Sequence, residues 1–315
     1  MMHNIHFLYI LLLSAVLLSS CREDEVVVPT EYDILPVTVP EGSDVVGMYL
    51  LNEGNMGSNK CTIDHFNART GGYQRNIYPE RNPDVVKELG DVGNDIAIHK
   101  DRLYVVVNCS NLVEVMDVHT AEHIGSISIP NCRYIVFEGD RAYVSSYAGP
   151  VQIDPEARPG KVVEIDTESL TITREVVVGY QPEEMVITGG RLYVANSGGY
   201  RFPNYDRTVS VVDLESLEVV NTIDVAINLH RMELDRYGRI YVSSRGNYYG
   251  TGSDIYVIDA ATEKVIGNLG IAASEMCIDD DRLYTISTEW SYTSSSNEVS
   301  YAVYDTAEQR IVSHN

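Results

Sequence analysis

The feature that most constrains the fold is a short phrase that recurs along the chain. In each copy a β-type strand with a central Tyr is followed, after a loop, by a second strand that carries an Asp. The Tyr-containing strands are Gly47–Leu51, Arg102–Val105, Arg141–Val144, Arg191–Asn196, Arg239–Val242 and Arg282–Thr285. The matching residues are Asp64, Asp117, Asp166, Asp213, Asp259 and Asp305, so the repeat spans 46 to 53 residues.

A repeat of this length with only short β-segments indicates a β-propeller, with one four-stranded blade per repeat. The fourth repeat contains the predicted strands Met185–Thr188, Arg191–Asn196, Val209–Asp213 and Glu218–Val225. We therefore predict an all-β propeller domain over residues 46–315, with blades at 46–86, 93–130, 131–179, 182–226, 230–269 and 273–315. We expect each repeated Asp to accept backbone N–H groups of its turn, and each repeated Tyr to pack between blades.

The predicted ring is incomplete. The first repeat lacks its innermost strand, and the sixth already ends on a fourth-strand-like segment, Gln309–His314. A closed ring removes exposed sheet edges, and a strand from the other terminus usually completes the first blade. Either residues 33–39 supply that strand, or the protein belongs to a seven-bladed family and its C-terminal blade is missing. The second interpretation is favoured.

Residues 1–20 predict a lipoprotein signal peptide rather than part of the fold. The apolar run Phe7–Leu18 is too short to span a membrane and stops at Ser19-Ser20-Cys21. Leu18–Cys21 is typical of a bacterial lipobox, in which the acylated Cys21 anchors the mature chain. The acidic cluster Arg22–Glu25 resembles the surface-export signal of Bacteroidota lipoproteins, which predicts a lipid-anchored protein on the cell-surface side of the outer membrane. Residues 21–45 are expected to form a tether or a first edge segment.

Charge and cysteine usage narrow the function classes. The net charge of −23 repels nucleic acid and anionic lipid, so nucleic-acid binding is excluded. The cysteines after Cys21 include no C-x-x-C pair, and a structural zinc site is therefore not expected. Because an exported protein matures in oxidising surroundings, a Cys109–Cys132 disulfide is a hypothesis, with two buried thiols as the alternative.

Antiparallel strand order places two connections of each blade on one face, which we call the loop face. They are the loop after the second strand and the connection into the next blade. These segments hold the only Trp and many of the Tyr and Asn residues, whereas the opposite turns are short and plain. Flat aromatic groups beside amides suit a bulky neutral ligand with many polar substituents. The predicted ligand-binding residues are Asn52, Asn55, Met56, Asn94, Asp95, Asn108, Arg133, Tyr134, Tyr147, Glu184, Asn196, Tyr200, His230, Arg231, Arg245, Tyr248 and Trp290.

Two other functions are consistent with the same face. A lactonase-like hydrolase would hold Ca²⁺ or Mg²⁺ with oxygen ligands, for which the candidates are Asp95, Asn108, Glu184, Asn196 and Glu275. A glycan or another nutrient would stack on the same Tyr and Trp side chains. No G-x-S-x-G motif or Ser nucleophile with a paired His is present, so the favoured interpretation is a binding protein with no enzymatic activity, no cofactor and no metal.

Several long segments carry a family resemblance: Leu51–Asn59, Glu88–Asp95, Asn131–Phe137, Gly179–Val186, Val194–Tyr200, Asn228–Arg231 and Ser243–Tyr248. The repeats resemble the YncE-like propeller family, and these segments resemble more closely its BtuG-type members, the vitamin B12-binding surface lipoproteins of Bacteroidota. The resemblance implies capture of a cobamide and its transfer to an outer-membrane TonB-dependent transporter. A corrin ring is fringed by primary amides, and Asn, Gln and Tyr both donate to and accept from amides. The chain departs from this family in its missing last blade.

Overall fold

The fold is an all-β, six-bladed propeller of four-stranded antiparallel sheets. A computed structural model describes residues 30–36, 43–85, 88–247, 250–291 and 295–314. The inner strands of successive blades pack side by side in chain order. Cys21 and Tyr248 lie outside the described residues, as does most of the predicted tether.

Blades 2 to 6 follow chain order from the inner to the outer strand. Blade 2 contains β5 (Gly93–His99), β6 (Arg102–Val107), β7 (Leu112–Asp117) and β8 (His123–Ser128), and blade 3 contains β9 (Cys132–Glu138), β10 (Arg141–Ser146), β11 (Lys161–Asp166) and β12 (Thr171–Val177). Blade 4 contains β13 (Pro182–Thr188), β14 (Arg191–Asn196), β15 (Thr208–Asp213) and β16 (Glu218–Asp224). Blade 5 contains β17 (Leu229–Leu234), β18 (Arg239–Ser244), β19 (Asp254–Asp259) and β20 (Lys264–Asn268), and blade 6 contains β21 (Glu275–Asp279), β22 (Arg282–Ser291), β23 (Ser296–Asp305) and β24 (Arg310–His314).

Blade 1 is built differently. From outside to inside its strands are β1 (Glu31–Ile34), β4 (Gly72–Arg75), β3 (Thr62–Asn67) and β2 (Gly47–Asn52). Residues 33 and 34, expected to begin the innermost strand, instead belong to β1, which pairs with the outer side of β4, so the expectation is wrong for them. Residues 37–39 lie outside the described part of the chain. A short helix, α1 (Tyr78–Arg81), follows β4 and buries Tyr78 against blade 2. No helix in the described ranges is long and apolar enough to cross a membrane.

The repeated Tyr of the second strand packs between blades in blades 2 to 5, as predicted. Tyr104, Tyr193 and Tyr241 are at most 1% exposed. The hydroxyl of Tyr193 donates to the carbonyl of Ala260 in blade 5 at 3.0 Å, so the ring bridges two blades. In the last blade the corresponding Tyr284 is 42% exposed.

The faces at the two ends of the series are open to solvent. In blade 1, Met48 and Leu50 are 56% and 45% exposed, whereas their counterparts in β6, Leu103 and Val105, are completely buried. In blade 6, Ile286 lies on the same side of β22 as Tyr284 and is 52% exposed. Within the residues that the structure describes, the chain thus forms six blades with two apolar faces that no further strand covers.

The repeated Asp closes the turn between the third and fourth strands, as predicted. Asp117 accepts the backbone N–H groups of His119 and Thr120 at 2.9 and 3.0 Å. The same type of bond is made by Asp166, Asp213, Asp259 and Asp305.

The prediction for the first repeat is wrong, because its turn is closed by Asn67. The Asn67 Oδ1 accepts the N–H groups of Arg69 and Thr70. Asp64 is instead buried and accepts the Tyr73 hydroxyl at 2.7 Å. The turn-closing residues of blades 1 and 2, Asn67 and Asp117, are 50 residues apart, which is closer to the spacing of the other repeats.

Candidate ligand-binding site

Four consecutive polar pairs lie on β-bulges at the start of the inner strands. The bulged pairs are Asn94-Asp95, Arg133-Tyr134, Glu183-Glu184 and His230-Arg231, in blades 2 to 5. Within a bulge, two residues oppose one on the partner strand, and both can be directed differently from a regular strand pair. The pairing of β21 in blade 6 has no such shift. Local backbone geometry therefore brings eight polar side chains of neighbouring blades together at the loop-face end of the inner strands.

A repeated backbone element precedes each bulge. Two residues before it stand Val92, Asn131, Gln181 and Asn228, all with positive φ. Their carbonyls accept the N–H of the first residue after the second strand, as in Tyr147 to Asn131 and Arg245 to Asn228. Asn is among the residues that adopt this conformation most readily. The repeated bond fixes the loop of each blade against the bulge of the same blade.

Glu183 is the centre of the site in blades 3 and 4. Its carboxylate is 1% exposed and accepts both Nε and Nη2 of Arg133 at 3.1 Å. It also accepts the hydroxyl of Tyr147, and Arg245 approaches it at 4.0 Å. The Arg133 guanidinium lies 4.9 Å from the centre of the Tyr147 ring, in cation–π geometry. Charges and rings from three blades are thereby locked into one arrangement.

Tyr134 and His230 connect blade 3 to blade 5. The Tyr134 hydroxyl lies 2.9 Å from Nε2 of His230, and Nη2 of Arg245 lies 2.7 Å from the same atom. Because a guanidinium only donates, Nε2 is an acceptor and the imidazole proton is on Nδ1. Burial and the neighbouring arginines lower the pKa of His230 well below its usual value, so this ring is neutral.

Carboxylates of two bulges bind the inner strand of the next blade. Asp95 accepts the N–H of Ile135 at 2.9 Å, and Glu184 accepts the N–H of Met232 at 2.7 Å. Burial raises the pKa of Asp95 to about 6 and that of Glu184 to about 8. The Glu184 carboxylate also faces Nη1 of Arg231 at 3.4 Å, which opposes that increase.

The comparisons with known proteins agree with this architecture. Residues 46–266, more than half of the chain, match the family described as Domain of unknown function (DUF5074). The chain belongs to this family. No curated protein matches it.

Solved structures similar to this DUF5074 chain share its fold. The Kuenenia stuttgartiensis hydrazine synthase is 16% identical, with a TM-score of 0.57 over 67% of this chain and 62% of that chain. The WD40 domain of Neurospora crassa Pan2 is 12% identical, with a TM-score of 0.51 over 70% and 65%. BamB from Moraxella catarrhalis is 11% identical, with a TM-score of 0.50 over 84% and 75%. The chain thus spans less than two thirds of the first two structures, and identities this low indicate a common fold alone.

Most of the predicted ligand residues of this DUF5074 protein meet in blades 2 to 5. Asn94 donates to the carbonyl of Arg133, and the rings of Tyr147 and Tyr200 lie 6.3 Å apart, edge to face. Glu183, the centre of the site, was not among the predicted site residues. The signal for it was present in the Pro182-Glu183-Glu184 sequence, but regular strand alternation would direct only one of two adjacent carboxylates inward.

Several predicted residues have other positions. Asn108 and Asn196 are buried, and their amides bond within the protein, to Asn131 and Cys132 in one case and to Thr208 and Ser210 in the other. In blade 1, Asn52 donates to Thr62 of its own sheet, and Asn55 and Met56 lie on an exposed loop. The backbone of Trp290 belongs to β22, and its side chain, like all of Tyr248, lies outside the described part of the chain.

Some buried polar atoms at the loop face have no hydrogen-bond partner among the described residues. They include Oδ1 of Asn196, Oδ1 of Asn228 and Nε of Arg231. The Asn228 amide nitrogen is fixed by the carbonyl of Gly246 at 3.0 Å, so its oxygen cannot exchange places with the nitrogen without losing that bond. Buried acceptors normally obtain a donor, from protein, solvent or ligand. These two acceptors and one donor therefore require partners from solvent or from a bound molecule.

The hypothesis of a Cys109–Cys132 disulfide is wrong. Cys109 and Cys132 are both free thiols. The Cys132 thiol is buried and donates to the carbonyl of Leu112 at 3.3 Å. Cys109 turns instead toward the Asn108 side chain at 3.4 Å, so the two thiols have different neighbours. Among the residues described, no group of three or more His, Cys, Asp or Glu side chains is arranged to hold a metal ion.

Proposed function

We propose that this protein binds a cobamide at its loop face and delivers it to an outer-membrane TonB-dependent transporter, as a surface protein anchored through Cys21. It acts without changing the ligand chemically. The observation that carries the proposal is the meeting of polar pairs from blades 2 to 5 around Glu183. A preorganised, hydrogen-bonded rim lowers the entropic cost of binding a large ligand.

The chemistry of this rim favours an amide-rich ligand. The unsatisfied oxygens of Asn196 and Asn228 accept hydrogen bonds, whereas Nε of Arg231 donates one. A primary amide offers both complementary groups at once. Tyr200, which is partly exposed and packs edge to face on the buried Tyr147, adds apolar ring surface, which suits the edge of a broad macrocycle.

Gel filtration after incubation with cyanocobalamin tests the proposal. The coloured ligand should co-elute with the protein and be recovered unchanged. Tyr200→Ala should weaken binding about tenfold or more, since aromatic anchors dominate such contacts. Tyr237→Ala is the matched control, because Tyr237 lies in an opposite-face turn and is 51% exposed. Absence of co-elution, or equal affinity of the two variants, would contradict the proposal.

Anchoring is tested separately. Palmitate fed to expressing cells should label the protein, and Cys21→Ala should remove the label and release the chain from the membrane fraction. Protease added to whole cells should digest the wild-type protein, because the proposed location faces the medium. Retention of the label in Cys21→Ala, or full protection from protease, would contradict the proposed location.

We also propose that a seventh sheet, whichever polypeptide supplies it, covers the open faces of blades 1 and 6. The support is the exposure of Met48 and Leu50 on one side, and of Tyr284 and Ile286 on the other. Cys277 pairs across the sheet with Tyr284 and is exposed on that same face. In the native surface protein, Cys277 should therefore resist maleimide until the protein is denatured. Rapid labelling of native Cys277 would contradict a covering sheet.

A further inference from the structure

A cavity lies between blades 1 and 2, on the side of the molecule opposite the loop face. Its volume is about 240 Å³. It is bounded by the turn after β3, the outer strands of blade 1, helix α1 and the turn after β7. These turns join third to fourth strands, so the cavity opens away from the loop face. The added strand β1 and the helix α1 are special to blade 1 among the described blades, and both contribute to its wall through Tyr32 and Arg81.

The cavity wall is cationic although the protein is strongly acidic. The chain has 46 acidic residues, yet the lining includes Arg81, His65 and His119 and contains no Asp or Glu. Two carboxylates stand next to this lining: Asp101 lies 4.0 Å from Nε2 of His119, and Asp117, which closes its own turn through Oδ1, acts electrostatically on Tyr49. The charge of Arg81 reaches the cavity interior, because it contributes with burial to lowering the pKa of His65. One full positive charge thus stands beside a neutral imidazole.

Hydrogen-bonding groups in the cavity are available to a ligand. Within the part of the chain that the structure describes, the side chains of Arg81, His65 and Gln74 have no hydrogen-bond or ion-pair partner. The Tyr49 ring lines the cavity 5.0 Å from the His65 ring, and its hydroxyl donates to the carbonyl of Val118 at 2.7 Å. A guanidinium binds carboxylate and phosphate in a two-pronged geometry, and Gln74 and His65 can bond hydroxyl groups.

We propose that this cavity binds a small hydroxylated organic anion, with the anionic group on Arg81 and the hydroxylated body between Gln74, His65 and the Tyr49 ring. The site is separate from the loop face and does not depend on cobamide binding. Its ligand class follows from one unpaired cation, two neutral hydrogen-bonding side chains and an aromatic wall in a space of about 240 Å³.

Isothermal titration calorimetry with glucose 6-phosphate, gluconate and glucose tests this inference. At least one of the two anions should bind at millimolar concentration, and neutral glucose should not. Arg81→Gln should weaken the binding about tenfold or more, as expected for a lost charge-assisted hydrogen bond. Arg158→Gln is the control for net charge, since Arg158 is exposed in a blade 3 loop.

Three results would overturn the assignment: no binding of either anion, equal binding of glucose, or equal affinity of the Arg81→Gln and Arg158→Gln variants. Circular dichroism of each variant shows whether the fold is retained. Because Arg81 is exposed at the end of a four-residue helix, its substitution should leave the fold and the cyanocobalamin co-elution unchanged. Gln74→Leu provides a second variant, which should weaken the anion without changing net charge.

Discussion

Glu183→Gln tests whether one buried ion pair holds the loop face together. The substitution keeps the size of the side chain but removes the charge that faces Arg133 at 3.1 Å. The Arg133 side chain is 13% exposed, so its guanidinium would remain desolvated without a carboxylate. Breaking a buried ion pair from one side costs about 3–5 kcal/mol. Because the Gln oxygen still accepts one hydrogen bond, we expect a loss near the lower end, about 3 kcal/mol.

Urea unfolding followed by circular dichroism measures this loss by linear extrapolation, with an unchanged dependence on urea concentration. Glu175→Gln is the matched control, since Glu175 pairs with Lys161 but is 57% exposed, and exposed pairs contribute about 1 kcal/mol or less. Adding Arg133→Met to Glu183→Gln should recover part of the stability, because the unpaired buried charge is then removed. Equal losses for Glu183→Gln and Glu175→Gln would refute the reasoning.

Two further predictions concern packing and pH. Tyr193→Ala should reduce the free energy of unfolding by about 3–5 kcal/mol. Because the proposed seventh sheet covers Tyr284, which is 42% exposed within the six blades, Tyr284→Ala should cost a similar amount; a loss of about half that size in parallel urea titrations would contradict the covering sheet. Burial raises the pKa of Asp95 to about 6, so the stability contributed by its protonated form is complete below its ordinary pKa and is lost as the pH rises through about 6. Relative to wild type, Asp95→Asn should therefore gain about 2–3 kcal/mol between about pH 4 and pH 7, and a parallel pH dependence of the two proteins would contradict this sign.

Much of the fold could be predicted because it is encoded locally and repeated. Alternating strands, turn-closing Asp residues and interblade Tyr residues each follow from short-range geometry, and the six blades were predictable from them. Asn67 was missed because an Asn closes a turn as well as an Asp does, while the buried Asp64 happened to fall near the expected spacing. The position of β1 could not be read from its four residues, since pairing with the outer edge of β4 depends on a partner 40 residues away.

The sequence predicted which face of the propeller carries the candidate site, but not the contacts among the site residues. The residue types of the loop-face segments indicated where blades present polar groups. The bulges that aim Arg133-Tyr134 and Glu183-Glu184 together arise from strand register, which a single sequence does not reveal. For the same reason the sequence does not reveal that the amide nitrogens of Asn108 and Asn196 bond to neighbouring strands.

Because β1 is the outermost strand of blade 1, the chain enters the propeller at its outer edge. Only nine residues lie between Cys21 and Glu31, and the ten residue steps from one to the other reach at most about 35 Å. If Cys21 carries lipid, the propeller is attached to the membrane at the outer edge of blade 1. The loop face and the opposite face then both remain accessible, so the loop face binds one ligand from the medium while the opposite face binds a different compound.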